Sequence, residues 1–113
     1  MKELRSQLKQ LASRHAVTGL KGGTEVEAMN FDELAVMREV TKGIMPMTVK
    51  IGGAEARNDI QVMVSLGVDK LLGPMIESSY AMKNFVEAIQ SIDTLGTCKL
   101  AVNIETITSY TNL

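Results

Sequence analysis

The feature that most limits how this chain can fold is a repeat. An apolar, β-branched run, a glycine-bearing turn and a helix-periodic segment recur at roughly 25–30-residue spacing. Strands separated by whole helices cannot pair as hairpins, so the repeat calls for a parallel sheet with right-handed crossovers. Ala16–Leu20 reads as the first strand, Met47–Ile51 as the second and Val68–Leu72 as the third. Leu100-Ala101-Val102-Asn103-Ile104-Glu105-Thr106 reads as a buried fourth strand that ends in a carboxylate. Leu4, Leu8, Leu11 and Ala12 give an amphipathic first helix of about 12 residues. Asn30 with Glu33 forms a capping box for the next helix, which Gly43 stops, and Gly67 terminates a third helix over Glu55–Leu66. Ser78 or Ser79 caps a fourth, in which Met82, Phe85, Val86 and Ile89 recur on one side. After the last strand, Thr106, Thr108 and Ser109 are again cap-type residues.

This pattern predicts an α/β fold of the (β/α)8 TIM-barrel type, here a partial barrel of about four parallel strands with an N-terminal helix. Residues 1–15 form the helix and residues 16–113 the βα units, with no linker or low-complexity stretch between them. An open four-stranded sheet fits the same periodicity. A hydrophobic content of 45% over 113 residues supplies a core if the fold closes on itself. The balance of 12 basic against 13 acidic residues argues against nucleic acid or an anionic membrane as partner and favours small molecules or proteins. No apolar run reaches the roughly 20 residues of a membrane span, and Met1-Lys2-Glu3 opens no secretory signal. Cys98 is the single cysteine, which excludes an internal disulfide, suits a cytoplasmic location and reads as a free buried thiol.

Function in a parallel sheet gathers at the C-terminal ends of the strands. Those ends supply Lys21, Glu25 and Glu27, then Lys50, Gly52 and Gly53, then Pro74, Met75 and Glu77, and finally Asn103, Glu105 and Thr106. The set mixes oxygen ligands for a hard cation with ammonium groups suited to an organic acid. Glu105 is the candidate metal ligand, with a cap on the following helix as the plainer role. Asn103 alternates with it and shares its face. Lys50 is placed to orient a substrate carboxylate or polarise a carbonyl, or simply to snorkel at a strand end. Gly52-Gly53 either admits a substrate to the backbone or serves the turn, while Glu25 and Glu27 read as solvated loop acids. His15, at the end of the first helix, is explained by the helix C-terminus. No nucleophile elbow, metal-binding cysteine pair or phosphate-binding glycine loop is present, and Lys21-Gly22-Gly23-Thr24 lacks the Walker order.

Thr48-Val49-Lys50-Ile51, Asp59-Ile60, Leu66-Gly67, Leu71-Leu72-Gly73-Pro74-Met75-Ile76, Ala81, Val102-Asn103-Ile104-Glu105-Thr106 and Asn112-Leu113 together resemble the HpcH/HpaI aldolase and citrate lyase β-subunit family. The likeness covers roughly residues 46 to 113, and the first 45 only in layout. It implies the N-terminal half of a barrel of the phosphoenolpyruvate and pyruvate-binding superfamily, a metal-dependent carbon–carbon lyase acting on a 2-oxo acid or CoA ester. It also implies a homo-oligomer. By the same resemblance Glu105 binds Mg²⁺, Mn²⁺ or another divalent ion, which chelates a pyruvate-like enolate. Lys50 is the catalytic and substrate-contacting residue, standing where the family has arginine, and Gly52, Pro74, Met75 and Asn103 line the substrate site. The family's second metal ligand, an aspartate on the next strand, falls beyond Leu113, and its strand-one histidine has no counterpart in Lys21-Gly22-Gly23-Thr24-Glu25.

Overall fold

A computed structural model describes all residues from Met1 to Leu113. The chain begins with helix α1 (Lys2–Arg14) and then alternates strand and helix: β1 (Leu20–Gly23), α2 (Phe31–Thr41), β2 (Met47–Lys50), α3 (Arg57–Ser65), β3 (Lys70–Gly73), α4 (Ser79–Ile92), β4 (Lys99–Val102) and α5 (Ile107–Thr111). The four strands form one all-parallel sheet in the order β1-β2-β3-β4. Because the order never reverses, right-handed crossovers carry every connecting helix to the same side of the sheet.

The core records that arrangement. Met47, Val49, Ile51 and Leu71 are fully buried against Leu34 of α2, Ile60 and Met63 of α3, and Phe85, Ala88 and Ile89 of α4. Alternate residues of the same strands, Thr48, Lys50 and Leu72, are only partly buried. One face of the sheet is therefore packed and the other is not. A smaller cluster of Leu8, Val40 and Met45 seats α1, and Arg5 fastens it by donating to the carbonyls of Glu39, Val40 and Lys42 at the end of α2. No helix is long and apolar enough to cross a membrane.

The caps read from sequence form as expected. Asn30 and Glu33 exchange both capping-box hydrogen bonds, Ser78 caps α4, and Thr106 accepts from the Ser109 N–H to open α5. Two strand assignments require correction. The first strand is Leu20–Gly23 and not Ala16–Leu20. Ala16 takes a left-handed conformation (φ 55°) and the Val17 N–H bonds back to Leu11, so the β-branched run is spent closing α1. The glycines are instead drawn into the sheet: a side chain at Gly22 would lie 2.8 Å from Leu34 Cδ2, so only glycine lets α2 approach this closely. The fourth strand stops at Val102 and is an edge strand, not a buried one, with Leu100 39% exposed. Asn103 adds one further rung by donating to Gly73 O at 3.0 Å before the chain leaves the ladder.

Candidate functional site

The C-terminal ends of β1, β2 and β3 and the segment after β4 surround a cavity of about 500 Å³. Seven of the strand-end residues singled out from the sequence line it: Glu25, Lys50, Gly52, Gly53, Pro74, Met75 and Glu105. Glu25 and Val26 of the β1–α2 loop close one side. Asn103 does not line the cavity but donates from its side-chain amide to Glu105 Oε1 at 3.3 Å, although both residues lie beyond the end of β4. A concavity of comparable size beside α1 is lined by Met1, Lys2, Arg5, Ser6 and Lys9, all from a single helix end, and gathers no strand-end residue.

Glu105 occupies the rim between β3 and β4. Its Oε2 accepts the Met75 N–H at 2.8 Å. Met75 itself has φ 53°, a left-handed conformation that costs a non-glycine residue on the order of 1–3 kcal/mol. The carboxylate thus holds a strained turn in place, and the turn in return fixes the carboxylate. Each oxygen accepts one of these bonds and keeps lone-pair capacity for another partner. Mg²⁺ commonly binds through one or two carboxylates, retaining water and substrate oxygens for its other positions. Glu105 and Glu25 are the two carboxylates that line this cavity. No group of three or more His, Cys, Asp or Glu side chains converges anywhere in the chain.

Lys50 is positioned less freely than its place at a strand end suggests. Its side chain is 13% exposed and its ammonium lies 3.9 Å from Glu27 Oε1, which also pairs with Lys21 at 3.3 Å. Glu27 is therefore not the solvated loop acid its surroundings in the sequence imply. The loop folds it back over Gly23, where any side chain would collide with its carboxylate. Its Oε2 is buried without a hydrogen-bond partner. A bond from its own backbone N–H, helped by Lys21 and Lys50, holds its pKa below the ordinary carboxylate value against the opposing effect of burial. A second brace was also missed. Asp59, in the first turn of α3, accepts from Thr24 Oγ1 at 2.6 Å and from the Gly52 N–H at 3.0 Å, tying the β1 and β2 loops together. The sequence signal for both is the glycine-rich turn: small residues at Gly22-Gly23 and Gly52-Gly53 leave room for an acid from elsewhere to fold in.

His15 ends α1, ahead of β1, and so lies at the opposite end of the strands from the cavity. Cys98 lies just ahead of β4, also away from it. No protein-family model, curated protein or solved structure matches this chain.

Proposed function

We propose that this chain is the first half of a (β/α)8 barrel that performs metal-dependent carbon–carbon bond cleavage or formation on a 2-oxo acid or CoA-ester substrate, as in the HpcH/HpaI aldolase and citrate lyase β-subunit family. The observation that carries this is the convergence of Lys50, Gly52, Pro74, Met75 and Glu105, from three separate strand ends, on one cavity. The unreversed strand order, with helices on one face only, is what half of a barrel requires, whereas a doubly wound sheet reverses and is covered on both.

In this proposal Glu105 holds Mg²⁺ or Mn²⁺, which when bound supplies Lewis acidity for the charge that develops on an enolate-type oxygen. Asn103 and the Met75 N–H orient the Glu105 carboxylate. Lys50 presents its ammonium to the substrate's carboxylate or carbonyl, and Glu27 fixes the direction in which that ammonium points. The Gly52 backbone and the Pro74–Met75 turn form the walls. A second reading, a non-enzymatic half-barrel that self-associates through its exposed sheet edges, is favoured by the two unpaired edges at β1 and β4.

Calorimetric titration of Mg²⁺ and Mn²⁺ in the presence of oxalate, a mimic of the pyruvate enolate, tests the assignment on this chain and on Glu105→Gln. Metal-dependent oxalate binding that weakens at least about tenfold in the variant, or roughly 1.4 kcal/mol, is expected. Equal binding by the two chains refutes Glu105 as the ligand, and no binding by either leaves the non-enzymatic half-barrel.

A further inference from the structure

Residues in register across parallel strands project to the same side of the sheet. On the unpacked side one row reads Lys21, Thr48, Lys70, Lys99, and the next reads Gly23, Lys50, Leu72, Ala101. Four lysines thus share one sheet face. Glu27 pairs with Lys21 and Lys50, but no acid lies within ion-pairing distance of Lys70 or Lys99. Those two are direct cross-strand neighbours, the placement in which like charges destabilise a sheet.

The same face is bounded by two free edges, since β1 pairs only with β2 and β4 only with β3. The surface of the chain is also larger than that of a typical monomer of its mass. It exposes 6966 Å², against about 6,100 Å² for a typical monomer of 12.3 kDa. The excess, about 900 Å², matches the roughly 800 Å² that one partner contributes to a standard interface. The radius of gyration, 14.8 Å, likewise exceeds the ~13.3 Å of a compact chain of this length.

We infer that this open face and its two strand edges seat a second βα half whose facing strands carry carboxylates opposite Lys70 and Lys99, and not a second copy of this chain. A second copy closing the sheet would bring its own lysine rows into the same interior, and the Glu27 of each copy is already paired with Lys21 and Lys50. An acidic half instead supplies the counterions these rows lack and pairs the edges at the same time. The partner's shape rests on the barrel proposed above, while its charge rests on the strand register alone.

A charge-reversed copy serves as the probe. Sedimentation velocity is run on the wild type, on Lys70→Glu/Lys99→Glu, and on their equimolar mixture, with circular dichroism to verify that the variant is folded. The mixture is expected to form a 1:1 complex at least about tenfold tighter than the self-association of the wild type. Wild type that self-associates as tightly as the mixture, or a mixture that stays monomeric, overturns the inference. The wild type alone provides a second arm that needs no variant. Any self-association should strengthen between about 50 mM and about 500 mM NaCl as repulsion is screened, and a dimer that salt weakens is contrary to the inference. Neither arm depends on metal or oxalate, so failure here is separable from failure of the lyase proposal.

Discussion

Gly73 joins the packed core to the rim of the cavity, and replacing it with alanine should be felt at both. A side chain there would lie 2.5, 2.9 and 3.0 Å from three carbons of the Phe85 ring. Phe85 is fully buried in the core cluster, so moving its ring displaces packed neighbours. Overpacking of this kind costs about 1–3 kcal/mol, while exchanging glycine for alanine restores about 0.4–1 kcal/mol through the unfolded chain. The net loss is about 1–2 kcal/mol, which lowers Tm by roughly 5–10 °C in a domain of this size. Thermal and urea unfolding of Gly73→Ala, Phe85→Leu and the double variant form a cycle that isolates the clash. In the Phe85→Leu background, where the ring is gone, Gly73→Ala should cost nothing or stabilise slightly. The same loss in both backgrounds refutes the steric origin, as does a wild-type background in which Gly73→Ala is stabilising. The strain also has a path to the site: Gly73 O accepts from the Asn103 N–H, and Pro74 and Met75 follow directly. Metal affinity, where present, should therefore fall with stability in Gly73→Ala and recover in the double variant.

Two further outcomes concern the turn that leads into β4. Burial, reinforced by the Asp93 carboxylate, pushes the Cys98 thiol up to about 11, so reaction with a disulfide reagent at pH 8 should run roughly a hundredfold slower than with an ordinary thiol. Because the folded chain keeps this proton after the unfolded chain has lost it, Cys98 favours folding below about pH 9 and that contribution disappears as pH rises through about 11. Asp93 accepts the Cys98 N–H at 2.7 Å and the Thr97 hydroxyl at 3.0 Å, and these bonds, the first foremost, hold its carboxyl below the usual value. Its contribution is present above that ordinary value and is lost as pH falls through the depressed one, so Asp93→Asn should lower Tm at neutral pH and flatten the acid limb of a Tm-against-pH series.

What was legible in the sequence and what was not follows from the range of the interactions. Helix starts are local: Asn30 and Glu33 satisfy each other within one turn, so the capping box forms as read. The middle strands are also local, because Met47, Val49 and Ile51 carry an alternation that burial on one face preserves. The position of β1 is hidden in the sequence because the run before it, Ala16-Val17-Thr18, closes the end of α1 instead of joining the sheet. The true strand contains two glycines of low strand propensity, held by pairing with β2 and by the close approach of Leu34. The exposure of β4 is not legible in its sequence, because apolar composition does not reveal whether a strand has a neighbour on both sides. Of the site, strand ends alone placed Lys50, Pro74, Met75 and Glu105 together. Glu27 escaped because its partner Lys50 lies on another strand, and the Met75–Glu105 bond joins residues 30 apart with no spacing rule to announce it.

The most direct test of the account is to add Mn²⁺ to isotope-labelled chain in the presence of oxalate and to follow which backbone amides broaden. The account expects Met75, Asn103 and Gly52 to broaden first, around the Glu105 carboxylate, with the effect abolished in Glu105→Gln. Broadening centred on another part of the chain, or broadening at these amides that survives in the variant, contradicts it.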